Sequence, residues 1–271
     1  MFYRPRRLPD QITLKYGPHD ILERFFGMAD AKAAELGLAV SVRAEFDPLL
    51  ALHKRHRQEW GPLPASLDPR HSNLRIDQAF WIEGLDAKGE TAFVHAARLF
   101  EWENTNLGEE VRSLRAFYDD PAKPLASGVR FPLTGAAANR IKGRCVFLGG
   151  LWVRPDCRGR GLSHLVPRLT SAYAYTRWGF DYAWGIVETH LYEAGLTGNY
   201  GPYRTEGPFT AETGGADKID IVLLWAGGPA IVADLAVAID PETKPSGRKI
   251  ELPHHGETQN QHAAIGAAPR Q

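Results

Sequence analysis

The sequence predicts an α/β domain, and three observations lead there. Leu38, Val40, Val42, Ala44 and Phe46 fall on alternate positions, the period of a half-buried strand. Two apolar stretches, QAFWIEGL and TAFVHAARLFEW, flank the turn Asp86-Ala87-Lys88-Gly89 and form a hairpin signature. The apolar run RCVFLGGLWV stops in a turn of arginines and glycines. Leu162, Leu165, Val166, Leu169 and Tyr173 then follow at helical spacing, and a second strand pattern, DYAWGIVE, comes after them. Strands interleaved with helices form a sheet that helices cover.

The elements follow in order. Residues 1–18, rich in Pro and Arg, form an arm. Residues 19–37 have helical periodicity and end on Gly37, a C-cap signal. The alternating strand 38–46 comes next, with its five apolar residues on one face. A helix over 47–60 carries LLALHKRHRQEW, and 61–75 is Pro-rich loop. After the hairpin, residues 103–143 form a long connection with one helix over LGEEVRSLRAFY and a Pro/Gly/Ala loop. A connection of that length inside a compact domain is usually functional or a specific insertion. Then come the strand to Val153, the helix to Trp178, the strand to Glu188 and a helical turn or two over 189–197. PYRTEGPF and KIDIVLLWA are strands, and 228–238 is a short apolar helix. Residues 240–271 lack periodicity and are expected to be a disordered tail. The expected organisation is an arm and helix over 1–37, a body over 38–239 with its insertion at 103–143, and the tail.

Composition narrows the function. Lys plus Arg equals Asp plus Glu at 32 each, so no net charge favours nucleic acid or an anionic membrane. No apolar run reaches the ~18 residues of a membrane span, and the basic start MFYRPRRLPDQ lacks a signal-peptide core. The two cysteines, Cys145 and Cys157, make no disulfide framework; two free buried thiols in the cytoplasm are expected.

The stretch LGGLWVRPDCRGRGLSHL, residues 148–165, carries the chemistry. A helix start has unpaired backbone N–H groups and a partial positive charge. Glycines let that backbone approach an anion closely. Arg154, Arg158 and Arg160 add formal charge, so a pyrophosphate is the natural guest. GRGLSHL is no dinucleotide turn, because His164 stands at the third glycine position. It is no P-loop either, since no Gly-Lys-Ser/Thr follows.

What fits is Arg/Gln-x-x-Gly-x-Gly/Ala after Val-x-Pro, here Val153, Pro155, Arg158, Gly161 and Ser163. In this the chain resembles the GCN5-related N-acetyltransferases over about residues 38–226. It departs at Ser163, where that family has Gly or Ala; serine is small and can cap a helix start. Pro167, early in the helix, removes a backbone donor. The resemblance implies a mixed, mostly antiparallel sheet with splayed central strands, flanked by helices. It implies acetyl-CoA as co-substrate, its pyrophosphate on Arg158, Gly159, Arg160, Gly161, Leu162 and Ser163. Its pantetheine would lie against the backbone of Leu151, Trp152 and Val153, where Gly149 and Gly150 permit a bulge.

By the same resemblance, a carboxylate or His acts as base and a Tyr as acid. Glu188, at a strand end, is the first base and His190 the second. Tyr200 is the first acid, with Tyr192 behind it; Tyr203 is the aromatic after the family's Gly. A solvated carboxylate and a core tyrosine stand beside these roles. His53, His56 and Glu59, spaced three apart, suit a solvated charged face better than a metal site. Glu101 and Glu103 end a hairpin strand at a substrate rim or on plain surface. Cys157 has no base pattern around it, and Trp60, Trp81, Trp102 and Trp152 are pocket or core residues. The expected reaction is acetyl transfer from acetyl-CoA to a small-molecule amine, without a metal, with a second copy of the chain as a candidate partner. An acyl-homoserine-lactone synthase and a non-catalytic acyl-CoA sensor are the alternatives.

Overall fold

The computed structural model describes residues 7–215 and 217–241; the expected tail lies outside them, apart from Asp240 and Pro241. Helix α1 (His19–Glu35) ends where the glycine predicts. Gly37 has φ of 72°, its N–H bonds Ala34 O, and Leu38 N–H bonds Ala33 O, a Schellman closure. Strand β1 (Ala39–Arg43) follows, then α2 (Asp47–Trp60), whose geometry kinks at His56. Strands β2 (Ala79–Leu85) and β3 (Thr91–Trp102) form the expected hairpin. Asp86 closes its turn by accepting from Lys88 N–H and Glu90 N–H.

The long connection holds α3 (Leu107–Arg112), α4 (Ala122–Ala126), β4 (Val129–Arg130) and α5 (Ala136–Arg140). Then come β5 (Gly143–Val153), α6 (Leu162–Trp178), β6 (Tyr182–Glu188), α7 (Thr189–Glu193), β7 (Arg204–Thr213), β8 (Lys218–Gly227) and α8 (Gly228–Ile239). The strands make one eight-stranded sheet in the order β1-β2-β3-β5-β6-β8-β7-β4. Every neighbouring pair is antiparallel except β5 with β6, at the centre. The fold is therefore the mixed, mostly antiparallel α/β sheet that was expected.

Two apolar layers cover the sheet. On the first face α1, α6 and α8 pack Phe25, Phe26, Leu169 and Leu235 against Phe80, Ile82 and Phe93. On the second face α2 and the 103–143 connection pack Leu49, Val111 and Phe117 against Trp81, Phe147 and Trp184. The connection is thus the cover of half the core.

Three local expectations fail. Phe46 does not share a face with Leu38 and Val40, because β1 stops at Arg43 and the chain turns Phe46 into the second layer. The helix expected over 107–118 stops at Arg112, since Leu114 takes φ of 62° to reach the second core. Ser163 does not cap α6; Gly161 holds the N-cap position and no side chain bonds there.

Candidate functional site

The site begins where the central strands part. β5 and β6 pair only through Cys145↔Tyr182, Val146↔Ala183 and Phe147↔Trp184. Beyond these, β5 stays with β3 to Val153↔Phe93 while β6 stays with β8 to Glu188↔Ile221. Gly185 sits at the fork, where a Cβ would come 2.9 Å from Leu148 O. The double glycine makes the expected bulge. Ala96 faces Gly149 and Val94 faces Trp152, so Gly150 and Leu151 together oppose His95, with φ of 64° at Gly150. The extra residue reverses the alternation, so Phe147 and Trp152 both reach the second layer while Leu151 and Val153 reach the first.

The bulge also decides which backbone faces the gap. Arg154 N–H bonds Ala92 O at 2.8 Å, so Val153, one residue back, turns its N–H and C=O away from β3. By alternation Leu151 does the same. Trp152 turns its main chain toward Val94, which removes it from the expected pantetheine contacts.

The turn after β5 meets the requirements of an anion cradle. Gly159 and Gly161 have φ of 74° and 80°, the left-handed region that glycine adopts without strain. A Cβ at either would meet nothing within 4 Å, so open space rather than packing lies above them. Among the described residues, the amides of 159–163 have no acceptor, because the first bonds of α6 are His164 and Leu165 N–H to Gly161 O. These amides stand at the positive end of a 17-residue helix. Pro167 removes the N–H that would bond Ser163 O, and α6 continues through it.

The three arginines are not equivalent. Arg154 is engaged by Asp86 at 2.8 Å and Asp156 at 2.6 Å. Its bonds to Asp156 and Asp86 raise its pKa, and Arg154 in turn holds Asp156 low. It therefore adds no net charge to the cradle, contrary to expectation. Arg158 donates Nε–H to Val153 O at 3.0 Å, and Arg160 donates Nη2–H to Leu36 O at 2.8 Å. Among the described residues neither is paired with a carboxylate, so their guanidinium groups are not neutralised at the turn.

Glu188 closes β6. Ile186 and Glu188 alternate onto the second face with Trp184, and both line a cavity of about 740 Å³. His190 Nδ1 lies 3.3 Å from Glu188 Oε2, so the two base candidates touch each other. The cavity extends under α2, the 61–71 loop, the 117–131 segment and the ends of β7 and β8. Its walls include Leu50, Phe117, Phe131 and Ile221.

The tyrosines separate. Tyr203 is half-buried against the first core and its hydroxyl meets Ser171 Oγ at 3.0 Å; burial raises its pKa, and it serves packing. Tyr200 follows Asn199, whose carbonyl accepts from Arg168 of α6 at 2.7 Å. It thus lies beside α6 on the first face, and burial raises its pKa also. Tyr192 is exposed on α7, its hydroxyl 3.5 Å from Thr205 Oγ1.

Solved N-acetyltransferases are similar to this chain. Mutant forms of the spermidine/spermine N-acetyltransferase SpeG from Vibrio cholerae are 9% identical, with a TM-score of 0.41 over 71% of this chain and 97% of that one. Arabidopsis thaliana NAA60 in complex with acetyl-CoA is 14% identical, with a TM-score of 0.42 over 70% and 98%. The spermidine N-acetyltransferase of Vibrio cholerae with CoA and spermine is 10% identical, with a TM-score of 0.37 over 69% and 78%. All three scores lie below 0.5, so this likeness adds nothing to what the strand order and the fork themselves show. No protein-family model and no curated protein matches the sequence.

Other sequence candidates move away from the site. Glu101 pairs with Arg144 at the closed end of β5, so neither it nor Glu103 borders the fork. His53 is buried with Nε2 2.7 Å from Gly61 O, and the His56 ring lies 4.5 Å from that of Trp152. The two histidines are therefore packed while Glu59 is exposed as expected, and no group of potential metal ligands occurs among the described residues. Cys157 is buried, and burial pushes the Cys145 thiol up to about 12. Trp81 and Trp102 are core, and Trp60 stacks on Trp152 at 5.2 Å beside the cavity without lining it. Sequence reasoning missed Lys54 and Arg57, which line the cavity from α2. Their signal was their spacing with Leu50 and His53, one helical face.

Proposed function

We propose that the chain is an acetyl-CoA-dependent N-acetyltransferase of the GCN5-related kind, acting on a small-molecule amine. One arrangement carries this reading: β5 leads from the fork into an anion cradle, while β6 leads from it to Glu188, which lines an apolar-walled cavity on the second face. A pyrophosphate fits the free amides of 159–163, with Arg158 and Arg160 beside it. The acyl end then reaches through the fork toward Glu188.

The amine enters from the cavity as its free base, its ammonium proton having gone to solvent, and attacks the thioester carbon. As the C–N bond forms, carbonyl electrons move onto oxygen, where the N–H groups of Leu151 and Val153 can receive the charge. Collapse breaks the C–S bond. Glu188, with His190 at its oxygen, takes the nitrogen's proton, and Tyr200 gives its proton to the departing thiolate. Supporting Tyr200 over Tyr192 is its place beside α6, the side from which the thiol arrives. Its raised pKa keeps it protonated at neutral pH. No group need bond covalently to the protein.

The test pairs calorimetry of CoA with thiol release from acetyl-CoA across a panel of amines. Micromolar CoA binding with amine-dependent thiol release is the expected result. CoA binding with no turnover on any amine would leave an acyl-CoA sensor, and absence of CoA binding would sink the reading.

A further inference from the structure

The geometry points to an acceptor that carries an anionic group as well as its amine, on an apolar body, with Lys54 and Arg57 reading the anion. This deepens the reading above and rests on it for the identity of the reacting end.

The argument is the distribution of charge around the cavity. Two acidic side chains line it. Asp68 is buried and bonds Arg70 through both oxygens, so that pair is closed on itself. Burial pushes the Asp68 pKa up and the Arg70 bonds overcome it, leaving the carboxyl low and the charges matched. Glu188 is the other, on the β6 wall. The α2 wall has the opposite sign. Lys54 and Arg57, three residues apart on one helical face, both line the cavity, and neither has a carboxylate partner among the described residues. The space between is apolar, with Leu50, Phe117, Phe131 and Ile221 on its walls. A volume of about 740 Å³ suits a small molecule.

A polyamine placed there would meet two cations that have no carboxylate partner among the described residues, and one carboxylate, Glu188, that His190 already touches. A zwitterion with an apolar or aromatic body meets both signs. Its amine lies toward Glu188, and its carboxylate or phosphate lies toward the guanidinium of Arg57, which can bind such oxygens bidentately.

The experiment uses the full chain and four amines: L-phenylalanine, phenethylamine, spermidine and 2-aminoethyl phosphate. Thiol release gives kcat/KM for each. Calorimetry measures binding of N-acetyl-L-phenylalanine against N-acetylphenethylamine, a readout that needs no turnover. L-Phenylalanine should exceed phenethylamine by about tenfold, which two exposed ion pairs can supply, and spermidine should be poorest. The phosphate arm decides which anion is preferred. In Lys54→Glu/Arg57→Glu the preference for phenylalanine over phenethylamine should fall to unity or invert, in both turnover and product binding. Turnover that favours phenethylamine or spermidine overturns the inference and leaves the acetyltransferase reading intact. Charge-dependent binding of N-acetyl-L-phenylalanine without turnover upholds the inference and removes that reading. Neither turnover nor anion-dependent binding overturns both.

Discussion

At the scale of the residue, Gly161 is the sharpest test of the cradle. Its φ of 80° costs a β-branched residue about 1–2 kcal/mol, and a Cβ there would stand in the open space above the amides. Gly161→Val should therefore weaken CoA binding roughly 10–100-fold, the loss of one or two charge-assisted hydrogen bonds. Circular dichroism would verify that the variant stays folded, and unchanged affinity in calorimetry refutes the cradle. Arg158→Ala removes charge but not shape, so its effect should be only about threefold and should shrink as salt rises. For the proposed chemistry, Glu188→Gln keeps volume and removes basicity. It should lower kcat by roughly 10²–10⁴-fold with CoA affinity unaltered. Tyr200→Phe should slow thiol release, whereas Tyr192→Phe, at an exposed position, should change little. The reverse order would move the acid to α7.

At the scale of the element, glycine permits the close approach of β5 and β6 at the fork. The Cβ that Gly185→Ala adds would come 2.9 Å from the Leu148 carbonyl, a backbone atom that cannot swing aside. The variant should lose roughly 1–3 kcal/mol, read as a lower denaturant midpoint. An unchanged midpoint would mean that the strands part without resistance. Much at this scale was legible in the sequence, because the signals are local. Gly37 ends α1, Asp86 closes the hairpin, and the double glycine marks the bulge before the turn. What was not legible depends on distant partners. Leu114 abandons helical geometry only because the second core needs its side chain. Arg154 reads as a free charge until Asp86, 68 residues away, is found beside it. The cavity is built from α2, the 117–131 segment, β6 and the ends of β7 and β8, which no sequence spacing brings together. Lys54 and Arg57 therefore read as surface charge until those walls are assembled.

At the scale of the whole molecule, one buried histidine couples stability to pH. His95 lies on β3 opposite the bulge, and its Nδ1 is 3.0 Å from Thr170 Oγ1 of α6. The Thr170 hydroxyl donates its one proton to Val166 O at 2.9 Å, so it must accept from His95. The ring is therefore the neutral Nδ1–H tautomer. Burial lowers its pKa from 6.5 to about 3, because a charged imidazole there would lose its hydration. The sign follows. The unfolded chain binds a proton below about pH 6.5 and the folded chain refuses it until about pH 3. The stability His95 contributes is complete above pH 6.5 and drains away as pH falls between these values. At pH 5 the loss should be about 2 kcal/mol. His95→Gln can still donate to Thr170 but does not titrate. Urea unfolding at pH 7.5 and pH 5 should show the variant less stable at the higher pH, yet losing about 2 kcal/mol less on acidification. Parallel losses in the two proteins would place the acid sensitivity elsewhere.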